Sequence, residues 1–244
     1  MSDGIYSALS GAVAQDRALE VAANNAANIN TTGYKGDLVV FREVLNRTKE
    51  GPSPDVMRYV VGNETRTVMT SGVLRETGNP LDLALQGEGF FTLKTPGGIR
   101  YTTAGSFTTD RKGIVSTKNG YEVLASGGGP LIVPADTKEI SVSPDGTLSA
   151  DQETIGQLRI TRFRDRTLLR KEGASMFVAP SAAAPMSDGE STVVQGYLEG
   201  SNVHAVGSVT DMIKVSRYFD AFQRIINTFK QLDQRTAREL GRRF

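Results

Sequence analysis

Glu88, Asp110, Asp136, Glu139, Asp145 and Asp151 supply six carboxylates within one stretch of this chain. Two such groups on either side of a glycosidic bond can act as acid and base in glycoside hydrolysis. Most of the six stand in turn sequences, such as Asp110-Arg111-Lys112-Gly113 and Pro144-Asp145-Gly146, where Asp bonds its own backbone. Catalysis is therefore the weaker reading of the set. Cysteine is absent and His204 is the single histidine, which removes thiol nucleophiles, cysteine-bearing zinc sites and the Ser-His-Asp triad. A place near the start of the last helix suits His204 as a cap-region or interface residue rather than a pH switch or ligand. Gly87-Glu88-Gly89 lacks the third glycine of a dinucleotide loop and sits among strand-like residues, so it reads as a turn. No P-loop, nucleophile elbow or Ser-x-x-Lys pair occurs. The expectation is a protein that is not an enzyme, with no cofactor and no metal.

The 244 residues carry 28 basic and 27 acidic side chains, which offers no electrostatic case for nucleic acid or a membrane surface as partner. No run of about 18 apolar residues is present to span a bilayer, and Met1–Tyr6 has no basic region of the signal-peptide type. These features predict a chain without membrane insertion and without a cleaved signal.

The elements that would hold any site follow a helix, strands, helix order. Ile5, Leu9, Ala12, Leu19, Ala23 and Ala26 recur at spacings of three and four, a coiled-coil-like stripe interrupted by Asp16. Gly11 lowers helix propensity by about 1 kcal/mol relative to alanine, while the small residues let another backbone come close. The helix is expected to end between Asn28 and Thr32, with Gly33 as a left-handed cap. Leu38-Val39-Val40-Phe41 fits a buried strand or a continuing helix, Gly51-Pro52-Ser53-Pro54 reads as a loop, and Tyr59–Val61 and Thr65–Met69 alternate like strands. From about Gly78 to Gln195 the period is two, and turns recur at Thr95–Gly98, Asp110–Gly113, Asn119-Gly120, Gly127–Pro130 and Pro144–Gly146. Strands are predicted at Phe90–Leu93, Gly113–Ser116, Tyr121–Leu124, Leu131–Val133, Ile140–Val142, Leu158–Phe163 and Thr192–Val194, enough for a small barrel or sandwich.

Beyond Asn202 the helical period returns in Met212, Val215, Phe219, Phe222, Ile226 and Phe229, and the tail carries Lys230, Arg235, Arg238, Arg242 and Arg243 against Asp233 and Glu239. The predicted class is α+β: terminal helices forming a coiled-coil-like axial domain, with a mainly antiparallel all-β domain and an extended connector inserted. The segments are 1–34, 35–77 (connector), 78–196 (β-rich) and 197–244. Six bulky seam residues bury on the order of 9 to 18 kcal/mol gross at about 1.5 to 3 each. Ordering the two helices costs about 1 to 2 kcal/mol per residue in backbone entropy, partly offset by helix formation. A lone helix pair is marginal on that reckoning, and contacts with neighbouring copies that do not close would give an open helical assembly.

Three blocks of sequence carry a resemblance. Ala23-Asn24-Asn25-Ala26-Ala27-Asn28-Ile29-Asn30-Thr31-Thr32-Gly33-Tyr34-Lys35, the run Asn79–Phe91 and Gly196-Tyr197-Leu198-Glu199-Gly200-Ser201-Asn202-Val203 followed by Met212-Ile213 resemble the bacterial flagellar rod and hook proteins. Tyr101–Phe107, followed by Asp110 and Gly113, is similar to a strand motif of that family. Its length, with Gly200 and Asp211, resembles the proximal-rod members; a distal-rod member is the alternative. His204 and Gly36 depart from the family pattern.

The resemblance implies a structural subunit exported unfolded by the flagellar type III apparatus and assembled in the periplasmic rod of the basal body. There the terminal helices would line the channel and the β domain would lie outside, transmitting torque. The implied partners are distal-rod and small proximal-rod subunits, with copies of the chain itself. Stripe and resemblance together mark Ile5, Leu9, Ala12, Leu19, Ala23, Asn24, Asn25, Asn28, Thr31, Gly33, Tyr34, Lys35, Glu199, Ser201, Asn202, Val203, Met212, Val215, Phe219, Phe222, Ile226 and Phe229 as subunit-interface residues. A reading of another class is a secreted cell-wall hydrolase or glycan-binding module built on the β domain.

Overall fold

The computed structural model describes residues 2–41, 43–47, 56–60, 64–186 and 191–241. The expected loop at 51–54 and the tail residues Arg242 and Arg243 lie outside them. Two long helices, α1 (Ser2–Ala27) and α2 (Ala205–Gly241), bracket a mainly antiparallel, sheet-rich middle, so the chain is α+β. It divides into two compact units, each built from separate stretches of sequence.

The helical unit holds residues 1–27, 37–66 and 204–244. In it α1 and α2 pack antiparallel: Gly4 lies against the ring of Phe229, Gly11 against Phe222, and the Ser208 hydroxyl reaches the carbonyl of Ala22 at 3.5 Å. The ambiguous run after Lys35 resolves as a strand, Asp37–Val40, paired with Glu64–Thr67, and a hairpin joins Glu43–Arg47 to Val56–Val60.

The β-rich unit holds residues 28–36 and 67–203. Its largest sheet runs Arg170–Glu172, Met176–Val178, Gly98–Thr102, Phe90–Thr95, Glu122–Val123, Val115–Thr117, Phe107–Thr109, and Ile160–Phe163 also pairs with Phe90–Thr95. A three-stranded sheet of Ile140–Val142, Thr147–Ala150 and Glu153–Gln157 stands beside it. Two shorter ladders join Leu83–Gln86 to Thr192–Gln195 and Leu74–Glu76 to Tyr197–Glu199. The predicted strand Leu131–Val133 instead makes a single bridge, Ile132 to Ile114.

Alternation explains the core. In Thr147–Ala150 and Ile160–Phe163 every second side chain is buried, the pattern of strands with one face inward. The main cluster gathers residues such as Leu83, Phe91, Leu93, Phe107, Val123 and Leu148. A second one surrounds Phe177, with Phe90 5.6 Å from it edge to face and Phe163 5.7 Å from Phe90.

Candidate functional site

The first candidate surface is the helix pair. Ala8, Gly11, Ala12 and Ala14 are buried, whereas Tyr6, Leu9 and Val13 are 55, 49 and 58% exposed. At spacings of three and four these larger residues share one face of α1, away from the face that meets Phe222 and Phe229. Small residues therefore face the partner helix and large ones face outward. Of the expected stripe, Ala12 is buried, Ile5, Leu19 and Ala26 are half-buried, and Leu9 and Ala23 are exposed.

Along α2, Met212, Val215, Phe219, Phe222, Ile226 and Phe229 are all half-buried. They share one face, and Phe222 and Phe229, one heptad apart, seat on Gly11 and Gly4, also one heptad apart. The equal seven-residue spacing of the two glycines and the two phenylalanines is a sequence signal for this register that apolar periodicity alone passes over. Val206, Val209 and Ile213 on one flank, and Tyr218, Ile225 and Leu232 on the other, remain exposed.

The second candidate lies inside the β-rich unit, where residues from both ends of the chain meet. Tyr34, Lys35 and Glu199 are 0, 3 and 2% exposed. The Lys35 ammonium donates to Glu199 Oε1 at 2.7 Å and to the Thr70 carbonyl at 3.1 Å, and the same Glu199 oxygen accepts the Gly72 N–H at 2.7 Å. Asn202 Oδ1 accepts from Gly36 N at 2.7 Å, while its Nδ2 donates to the carbonyls of Val68 and Thr70 at 2.8 and 3.1 Å. Gly33 N donates to the Glu199 carbonyl and Asn202 N to the Tyr34 carbonyl. Lys171, absent from the sequence reading, sits 3.8 Å from the centre of the Tyr34 ring and donates to the Lys35 carbonyl at 2.6 Å.

Gly33 has φ of +65°, six residues past the end of α1 at Ala27, so it does not cap that helix. A Cβ there would run into the backbone of Ala104, which explains the glycine by close approach as well as by conformation. Gly33, Tyr34, Lys35 and Glu199 are thus occupied inside this chain.

The remaining expected site residues are local. The Asn25 amide exchanges two hydrogen bonds with the backbone of Asp37, at 2.7 and 2.9 Å. Asn28 Oδ1 accepts from the Thr31 hydroxyl at 3.1 Å, and its carbonyl from Thr31 N, which closes the turn after α1. Asn24 is exposed, and Ser201 Oγ accepts from the N–H of the half-buried Val203. His204 is exposed, with its carbonyl accepting from Ser208 N at the first turn of α2.

Four of the six carboxylates are bonded within the chain. Glu88 pairs with Arg166 at 2.7 Å, Asp110 accepts from Lys112 N and Ile114 N, and Asp151 accepts from Lys138 N and Glu139 N. Hydrogen bonds from the Thr147 backbone and hydroxyl hold the Asp145 carboxyl below the usual carboxylate range. Asp165 is lowered likewise by the hydroxyl and N–H of Thr167. Among the described residues, no three His, Cys, Asp or Glu side chains gather as metal ligands, and no helix is long and apolar enough to cross a membrane.

Among the described residues, both helices leave apolar side chains exposed, a feature that fits a structural, assembling protein. Comparison with known proteins gives that class its family. Residues 5–35 match the family described as flagella basal body rod protein, 84–150 the flagellar hook protein FlgE/F/G D1 domain, and 194–239 the flagellar basal body rod FlgEFG protein C-terminal region. The chain is 32% identical to the flagellar basal-body rod protein FlgF of Caulobacter vibrioides, over 99% of both chains. It is 34% identical to FlgF of Rhizobium meliloti over 90% of both, and 32% identical to FlgG of Bacillus subtilis over 96% of this chain and 97% of the other. The chain belongs to the flagellar basal-body rod protein family, whose members are structural proteins rather than enzymes. It is a structural subunit of the basal-body rod.

Proposed function

We propose that this subunit belongs to the proximal rod and helps to carry torque from the motor towards the hook. The observation that carries the reading is the arrangement of the two helices. Small residues of α1 are spent inside the chain, and Tyr6, Leu9 and Val13 are left facing outward. A helix apolar on more than one face needs more than one neighbour. The helices of segments 1–34 and 197–244 would pack with those of adjacent subunits in a coiled-coil-like axial layer around the export channel, with the β domain of 78–196 outside.

The partners would be copies of this chain and the distal and small proximal rod subunits. Passage through the flagellar type III export apparatus into the periplasm belongs to the same proposal. The full-length match to FlgF from Caulobacter vibrioides and the residues Gly200 and Asp211 favour the proximal position. The comparable identity to FlgG proteins keeps the distal rod as the second reading.

Deleting residues 1–30 from the cellular copy is expected to abolish rod completion and swimming; normal swimming by that strain overturns the proposal. Cryo-electron microscopy of isolated basal bodies separates the two positions. Density for this chain below the other rod subunits supports the proximal reading, and density above them the distal one.

A further inference from the structure

The network around Lys35 has a built-in dependence that a rod role does not require. Residues 33–36 are held in part by Thr103, Val68 and Lys171, but each of the four also bonds to 199–202, at the other end of that unit, and the charge of Lys35 is met there by Glu199. The stretch 68–72 is held by the same two side chains, through Gly72 N on Glu199 and the Val68 and Thr70 carbonyls on Asn202. Neutralise Glu199 as glutamine, and Lys35 becomes a buried cation with only neutral oxygens around it, the Thr70 carbonyl and the new amide, and no counter-charge, a state that burial strongly disfavours. Undocking is the way out, since it returns the ammonium to water.

We propose that Glu199 and Asn202 form a latch that seats residues 33–36 and 68–72 on the β-rich unit together, in one step, when the 197–202 strap closes. The pair spans 164 positions of sequence, so the seat for the segment following α1 is completed by the segment preceding α2. Until the strap arrives, the rest of the β-rich unit folds around its own apolar clusters with the two stretches undocked.

The test is hydrogen exchange on the full-length chain and its Glu199→Gln variant. In the variant, amides of 33–36 and 68–72 are expected to exchange faster by on the order of a hundredfold, both to the same extent, while those of Phe90–Thr95 and Val115–Thr117 keep the parent rate. Parent-like protection at 33–36 overturns the latch. Opening of 33–36 without 68–72 overturns the single step, and uniform opening of the whole unit shows a general core residue instead. The double variant Lys35→Met with Glu199→Gln leaves no unpaired charge and keeps an acceptor for Gly72 N. It is expected to return both stretches to near the parent rate, and exchange as fast as in Glu199→Gln alone would overturn the electrostatic basis of the latch.

Discussion

A methyl group added at Gly11 would stand 2.5 Å from Cε1 and 2.6 Å from Cζ of Phe222. Read from sequence, Gly11 is a weak point in a helix; in the structure it is the notch that receives a ring. The two readings predict opposite signs for Gly11→Ala. Helix propensity alone would stabilise by about 1 kcal/mol. Overpacking against a ring that fills the notch costs about 1 to 3 kcal/mol. The expected outcome is a net loss of up to about 2 kcal/mol in the helix pair, seen in urea titrations followed by the helical circular dichroism signal. A gain would mean that the Phe222 ring moves aside freely. Gly33 was legible as a glycine needing positive φ, but not for its second reason, because the backbone of Ala104 that crowds it comes from a distant part of the chain.

At the scale of the elements, α2 was legible because its seam is uniformly bulky, and one period describes which face packs. The face of α1 was harder to place, since a three-four pattern counts alanine and leucine alike as apolar. Size separates the faces: Ala8, Gly11 and Ala12 lie inward, and Tyr6, Leu9 and Val13 outward. Turns in the β-rich unit were readable where glycine takes positive φ, as at Gly120 after Asn119 and Gly146 after Asp145. Leu131–Val133 carries a strand's composition but meets its neighbour only through Ile132 and the flanking bonds to Val115 and Gly113. The outward face of α1 gives its own prediction. Replacing Leu9 and Val13 together by glutamine alters two side chains that are about half exposed, so each change should alter monomer stability by about 1 kcal/mol or less. Rod assembly in cells carrying the double variant should nevertheless fail. Wild-type swimming with an intact monomer would show that this face meets no neighbour.

At the scale of the whole molecule, the blocks that carried the family resemblance are far apart in sequence, and two of them, Gly33–Lys35 and Glu199–Asn202, meet in the β-rich unit. No local pattern could show this, because periodicity reports faces within an element and not pairing between Lys35 and Glu199. The unit is discontinuous, residues 28–36 with 67–203, and that has a measurable consequence for fragments. A fragment of residues 67–203 has the apolar clusters but leaves Glu199 without its cation, and breaking a buried ion pair from one side costs about 3 to 5 kcal/mol. A fragment of residues 28–203 restores Tyr34 and Lys35. For a domain of this size the shorter fragment should melt roughly 10 °C or more below the longer one. Scanning calorimetry of the two decides the point. Equal melting temperatures would mean that Glu199 finds water or another donor once Lys35 is gone, and that the β-rich unit ends in energetic terms at residue 67.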